Sequence, residues 1–124
     1  MRKIAALTFG TLMGGFGRYY LSGIVYRLFG SGFPFGTLAV NLIGCFLIGF
    51  FFMWGEERSY FSPELRTLLM IGFCGAFTTF STCMLETGEL LRDGQVWQGI
   101  ANIGVSVIGG FIVFRLGVLL GQVL

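Results

Sequence analysis

Hydroxyl side chains and glycines are concentrated in one stretch of the sequence, GFCGAFTTFSTC, over residues 72–83. The stretch lies inside a run without charged residues, Thr67 to Leu85, which is long enough to sit within a membrane. Glycine and β-branched threonine are poor helix formers, so we predict a helix break here. Irregular backbone at that depth must line a cavity or be buried in protein. Its freed carbonyls would suit a hard cation such as sodium, and its hydroxyls can bond to local backbone in place of the missing helical hydrogen bonds.

Three phenylalanines of this stretch, Phe73, Phe77 and Phe80, recur at helical spacing. Such spacing is typical of a packing stripe between helices. An aromatic ring also has a positive edge, which can face a small anion without carrying a net charge. Spacing alone leaves both interpretations open.

Polar side chains form two further pairs at a spacing of one helical turn. Thr37 and Asn41 share one helix face, and Asn102 and Ser106 share another. An amide that faces lipid is costly, so each asparagine should face a partner helix or water. These pairs could serve as interhelical hydrogen bonds or as the lining of a pathway. Two such pairs, together with the hydroxyl-rich stretch, favour a pathway.

Two charged residues close to the apolar segments could have a functional role, Glu86 and Arg18. Glu86 follows Thr82 by one turn and is either a functional carboxylate or an interfacial residue, and we favour a structural or vestibule role. Arg18 either extends its head group to the interface or places a positive charge at a pore mouth, where it would concentrate anions. Six aromatic residues fit interfacial belts: Tyr19, Tyr20, Tyr26, Trp54, Tyr60 and Trp97.

Enzymatic and transition-metal chemistry are not expected. The chain has no histidine, and no serine or cysteine has an evident base beside it. The cysteines, Cys45, Cys74 and Cys83, are odd in number and lack a CxxC spacing, so we interpret them as small packing residues.

The elements that carry these residues follow from composition. With 124 residues, 55% of them hydrophobic and 11% charged, the chain has more apolar surface than one small domain can bury. We therefore predict a single transmembrane domain, 1–124, that exposes the excess to lipid or a partner. Nearly charge-free runs predict an all-α membrane protein with four spanning helices, at roughly 4–25, 35–54, 65–91 and 96–122. No cleaved signal peptide is expected, since no small-residue cleavage site follows the first apolar run.

Two features of these helices bear on assembly. GxxxG pairs at Gly10 and Gly14, and at Gly117 and Gly121, predict close helix packing. Positive charges are nearly balanced between the two sides, with Arg2, Lys3, Arg58 and Arg66 against Arg18, Arg27 and Arg92. So weak a bias permits insertion in both orientations and antiparallel pairing of two copies. The alternative is a single orientation set by the N-terminal charges.

The sequence resembles the Fluc (CrcB) family of fluoride channels along essentially its whole length. The matching segments are GGFGRY at 14–19, GTLAVN at 36–41, GFCGAFTTFST at 72–82 followed by Glu86, and the residues Asn102 and Ser106. The segment at 72–82 is specific, whereas the glycine patterns alone are not.

The resemblance implies an antiparallel, dual-topology homodimer in the cell (inner or plasma) membrane. Family members export fluoride passively through two pores, each built from both subunits, and discriminate against chloride. Their third helix is broken, and a structural sodium ion is bound by backbone carbonyls, here those of Gly75 and Thr78. The implied anion pathway consists of Asn41, Phe80, Ser81, Thr82, Cys83, Asn102 and Ser106. Arg18, Thr37 and Glu86 are the implied vestibule residues.

One position departs from the family pattern, which often has a second pore phenylalanine where this chain has Cys83. We expect selectivity to persist through Phe80 and the hydroxyls, with altered conduction. A tyrosine can also occur near the position of Asn102. Two alternatives to a fluoride channel are a small dual-topology multidrug exporter and a non-transporting membrane assembly subunit. The exporter would need a titratable membrane carboxylate, for which Glu86 is the one candidate.

Overall fold

The computed structural model describes residues 1–124, and its regular structure is entirely helical. Helix α1 is Arg2–Phe29, and α2 is Phe35–Glu57, with a π-helical end at Phe51–Glu57. Helix α3 covers 63–77, and its middle, Thr67–Cys74, is π-helical. Helix α4 is Phe80–Arg92, and α5 is Val96–Val123, which contains the π-helical segment Val105–Gly109. The predicted all-α class is confirmed.

The predicted spans lie within these helices to within a few residues. Three helical units are long and apolar enough to cross a membrane: Phe35–Glu57, Pro63–Arg92 and Val96–Val123, with 23, 30 and 28 residues. Helix α1 has 28 residues as well, but its apolar runs are interrupted by Arg18 and two tyrosines beside it. The structure thus contains three helical units, one of them formed by α3 and α4 together, that meet the length and hydropathy required of a span. Membrane crossing by α1 stays a prediction.

Both GxxxG pairs lie where two helices approach closely within the protomer. Helix α1 packs along α3, and α2 packs along α5. The pair on α1 faces the α3 backbone, and the pair on α5 faces the α2 backbone. A methyl group at Gly10, Gly14 or Gly117 would collide with the carbonyl oxygen of Leu68, Phe73 or Phe46, respectively. Backbone cannot move aside as a side chain can, so these positions require glycine.

Large apolar side chains lie mainly on the outside of the helix bundle. The buried hydrophobic residues are Val40, Cys74, Phe77, Cys83, Leu90 and Val118, most of which are small. The glycine contacts bring the helices together, so little interior volume remains for side chains. The outward apolar surface is that expected of a protein solvated by lipid or covered by a second chain.

Candidate functional site

Helix α3 ends at Phe77 and α4 begins at Phe80, so the predicted break lies at Thr78 and Thr79. Both residues are extended, with φ −94° and ψ 157° at Thr78 and φ −151° and ψ 117° at Thr79. The Thr78 hydroxyl donates to the Cys74 carbonyl at 2.9 Å. This bond extends the last turn of α3 before the chain straightens.

Asn41 of α2 satisfies the exposed backbone of the break. Its Nδ2 donates to the Thr79 carbonyl at 3.0 Å, and its Oδ1 accepts the Thr79 N–H at 2.7 Å. One side-chain amide therefore makes the two hydrogen bonds that a neighbouring strand would make to an extended residue. Asn41 belongs to the predicted anion pathway, and in the protomer its polar atoms are engaged by the backbone.

Thr79 also caps the first turn of α4. Its Oγ1 accepts the Thr82 N–H at 3.3 Å and lies 3.0 Å from the Thr82 hydroxyl, to which it donates. A threonine at this position is among the preferred helix N-caps. Of the first three N–H groups of α4, only that of Thr82 bonds within the protomer. Those of Phe80 and Ser81 are left for other acceptors, at the positive end of the α4 dipole.

Two backbone carbonyls lose their usual helical donors at the break. The Thr79 N–H, the ordinary donor to Gly75, binds Asn41 instead. The Thr82 N–H, the ordinary donor to Thr78, binds Thr79 Oγ1 instead. Neither carbonyl accepts a backbone N–H elsewhere. These are the two carbonyls that the resemblance implies for sodium, and carbonyl oxygens without donors are chemically suited to that cation.

The vestibule residues Glu86 and Thr37 are in direct contact. The Glu86 carboxylate accepts hydrogen bonds from the Tyr26 hydroxyl, at 2.8 Å, and from the Thr37 hydroxyl. The hydroxyl oxygens of Tyr26 and Thr37 are themselves 3.4 Å apart. Helices α1, α2 and α4 thus meet at one carboxylate. Sequence reasoning assigned Tyr26 only to an interfacial belt, because its partner lies in a distant helix.

Cys83, Asn102, Ser106 and Thr87 form a second polar cluster, between α4 and α5. Asn102 Nδ2 donates to Thr87 Oγ1 at 2.9 Å and to Cys83 Sγ at 3.7 Å. Cys83 Sγ donates to Ser106 Oγ at 3.6 Å. Thr87, which sequence reasoning missed, follows Cys83 by four residues and donates to its carbonyl at 2.8 Å. The i, i+4 spacing of Cys83 and Thr87 could have identified Thr87 from the sequence.

The remaining predicted residues divide between two openings that share Thr79. An open cavity of about 430 Å³ is lined by Asn41, Phe80, Cys83 and Ser106 among its polar and aromatic groups. A smaller one of about 180 Å³ is lined by Arg18, Thr37 and Thr82. Glu86 lines neither and borders a third cavity, with Glu89 and Asp93. Asn102 lies behind the first cavity and Ser81 is exposed beside it.

The phenyl ring of Phe80 is 75% exposed, so the first cavity is not closed within one protomer. Gly75 lies on the outer surface as well, with open space where a Cβ would be. The candidate site is therefore an open-sided, mainly apolar groove whose few polar groups are uncharged. It carries no cluster of side chains that could hold a metal ion.

Comparison with known proteins identifies one family. Residues 5–118 match the profile described as "CrcB-like protein, Camphor Resistance (CrcB)". The chain is similar to the "Fluoride-specific ion channel FluC" of Solidesulfovibrio magneticus, with 41% identity over all of this chain and 99% of the relative. The FluC of Chlorobium phaeobacteroides is 48% identical over 83% of this chain and 80% of the relative. The FluC of Geotalea uraniireducens is 46% identical over 94% of this chain and 93% of the relative.

Proposed function

The chain belongs to the CrcB family, and on that premise we propose that it is a fluoride-selective channel that lowers cytoplasmic fluoride by passive export. The relatives above are named as ion channels, in agreement with the expectation that this multi-pass membrane protein is not an enzyme. The observation that carries the proposal is the break in the third membrane segment. It brings the uncharged polar residues Thr78 and Thr79 to the wall of a mainly apolar groove that Phe80 also lines.

An anion in this groove would meet the Ser106 hydroxyl, the Phe80 ring and apolar side chains, and no fixed positive charge. Fluoride loses its water only where donors replace it, and conduction requires sites weak enough to release the ion. The proposed pathway is lined or supported by Asn41, Phe80, Ser81, Thr82, Cys83, Asn102 and Ser106. At the break, the free N–H groups of Phe80 and Ser81 add donors at a helix N-terminus, which favours negative charge.

The vestibule would be formed by Arg18, Thr37 and Glu86. Arg18 shares a cavity with Thr37 and Thr82, so its charge can raise the local anion concentration beside the groove. The Glu86 carboxylate is turned toward the hydroxyls of Tyr26 and Thr37, which offset its charge. Cys83 occupies a smaller volume than a phenylalanine would, and we propose that it tunes conduction while Phe80 and the hydroxyls preserve selectivity.

Two copies in opposite orientations would complete the site, with α1 as a fourth membrane-spanning helix. The support is the open side of the groove, the exposure of Phe80, and the near balance of positive charge between the two sides. A partner with opposite topology could cover the groove and supply the missing wall of each pore.

A structural sodium ion would fit the break at the centre of such a pair. Gly75 and Thr78 would hold it through their backbone carbonyls, which lack helical donors in this structure. Such an ion would neutralise the carbonyl dipoles and fix the two broken helices against each other.

Fluoride efflux from proteoliposomes, recorded with a fluoride-selective electrode, tests the proposed function directly. We expect rapid fluoride release and little chloride release from matched vesicles. Failure of purified, correctly folded protein to release fluoride would contradict the proposal and favour an assembly subunit. Proton-dependent uptake of a cationic drug in the same vesicles would instead support the exporter alternative, through Glu86.

A further inference from the structure

We propose that Asn102 acts from behind the anion groove as a positioning residue, by setting the direction of a hydrogen-bond chain that turns the Ser106 hydroxyl proton into the groove. The inference rests on the proposed function and concerns the cluster in which this chain departs from the family pattern. Asn102 is 1% exposed and lines no part of the 430 Å³ cavity. Cys83 and Ser106, the next two members of the hydrogen-bond chain, both line this cavity.

Thr87 fixes the orientation of the Asn102 amide. The Thr87 hydroxyl donates its single proton to the Cys83 carbonyl at 2.8 Å. Toward Asn102, at 2.9 Å, it can therefore only accept. The amide must turn its NH₂ group to Thr87, and the same group then faces Cys83 Sγ at 3.7 Å. The sulfur is thereby made an acceptor on this side.

The Cys83 thiol accepts from Asn102 and in turn donates to Ser106. Because Sγ accepts from Asn102, its one proton is directed to Ser106 Oγ at 3.6 Å. A serine in a helix commonly donates back to the carbonyl four residues earlier, as Thr8, Thr67, Thr78 and Thr87 do here. Ser106 makes no such bond, and its hydroxyl donates to no group of the protein. Its proton is available to an acceptor in the groove.

The chain Asn102–Cys83–Ser106 therefore ends in a donor that is oriented before an ion arrives. Each bond polarises the next, so the last hydroxyl is a better donor than an isolated serine. A strong acceptor without protons, as fluoride is, gains more from such a donor than chloride does. No proton is transferred, and the buried amide contributes without touching the ion.

The test uses the full-length protein in liposomes with two readouts. The first is the infrared S–H stretching band of Cys83, identified as the band that disappears in Cys83→Ala while those of Cys45 and Cys74 remain. We expect Asn102→Leu to move this band toward the position of an unbonded thiol. Gln98→Leu removes an exposed amide from the same helix and should leave the band unchanged.

The second readout is the ratio of fluoride to chloride flux. Loss of one oriented hydrogen bond predicts that Asn102→Leu lowers this ratio by about threefold to tenfold. Cys83→Ser keeps the chain with a stronger donor and should retain the ratio, whereas Cys83→Ala should lower it as Asn102→Leu does. Asn102→Asp places an acceptor where the hydrogen-bond chain needs a donor, so it should lower the ratio of fluoride to chloride flux further.

An unchanged S–H band in Asn102→Leu overturns the inference, as does equal selectivity of Cys83→Ser and Cys83→Ala. The proposed function fails separately, if the wild-type protein carries no fluoride. In that case the S–H band of Cys83 still tests the direction of the hydrogen-bond chain, because the spectrum is recorded without any ion flux.

Discussion

At the scale of single residues, the break between α3 and α4 depends on one amide. Two extended residues in a membrane leave backbone groups that water cannot reach, and each unsatisfied group costs free energy. Asn41 supplies a donor and an acceptor to Thr79 from a helix 38 positions away in sequence. The chain can therefore interrupt a spanning helix without leaving that peptide unpaired.

Replacement of Asn41 by leucine tests this dependence. Asn41→Leu has similar volume but leaves the N–H and C=O of Thr79 without partners, at a cost of about 1–3 kcal/mol for each buried group. We expect a lower thermal unfolding midpoint in detergent and loss of fluoride flux. Gln98→Leu, which removes an exposed amide, is the control and should match the wild type. Equal midpoints for the two variants would contradict the role assigned to Asn41.

Tyr26 holds the Glu86 carboxylate from a third helix. Removal of its hydroxyl in Tyr26→Phe should destabilise the protein by about 1.5–3 kcal/mol, because the lost bond is made to a charged group. Tyr20→Phe is the matched control on the same helix, since Tyr20 is exposed and its hydroxyl has no partner. Thermal unfolding of both variants decides the point, and a Tyr20→Phe shift as large as that of Tyr26→Phe would refute it.

At the scale of elements, glycine sets the distance between helices. Lipid provides no hydrophobic force to drive helices together, so association depends on close backbone contact. Gly14 of α1 lies against Phe73, just before the break, and Gly44 of α2 lies against Thr78 within it. The break is therefore held between rigid contacts.

Addition of a single methyl group should have opposite effects on stability at two glycines of α5, Gly117 and Gly104. In Gly117→Ala, the Cβ would collide with the Phe46 carbonyl, and overpacking of this kind costs about 1–3 kcal/mol. In Gly104→Ala, the Cβ enters open space, and alanine is the better helix former. We expect a lower unfolding midpoint for Gly117→Ala and an equal or higher one for Gly104→Ala. The reverse order would mean that α2 and α5 do not pack as described.

At the scale of the whole molecule, a single protomer leaves the candidate site open on one side. The groove is open to the outside, and Phe80 projects from it. A polar group such as the Ser106 hydroxyl would be costly to expose to lipid, whereas a second copy could cover the groove. The near balance of positive charge allows that copy to be inverted.

Dual topology can be measured by labelling one loop from one side of the membrane. Ser31 is exposed between α1 and α2, and the native cysteines lie in the apolar helices. If insertion occurs both ways, an impermeant maleimide applied to intact cells should label about half of Ser31→Cys, and all of it after permeabilisation. The unmodified protein is the control for background labelling. Complete labelling, or none, before permeabilisation would establish a single orientation.

The sequence by itself determined the helical class, the approximate spans and the position of the break. These depend on local properties: the length of apolar runs relative to a bilayer, and the weak helix propensity of glycine and threonine. It also singled out Asn41 and Ser106, which line the groove, because a polar group in an apolar helix is conspicuous wherever the helix packs. Three other predicted pathway residues, Ser81, Thr82 and Asn102, do not line it.

Only the tertiary structure decided which partner each polar group takes. The bond from Asn41 to Thr79, the Tyr26 hydroxyl on Glu86 and the position of Asn102 behind Cys83 join residues on different helices. Such pairings depend on how far one helix is rotated and shifted along another, and glycine contacts fix that geometry. Periodicity within one helix identifies the face that a residue occupies, but it carries no information about the atom opposite.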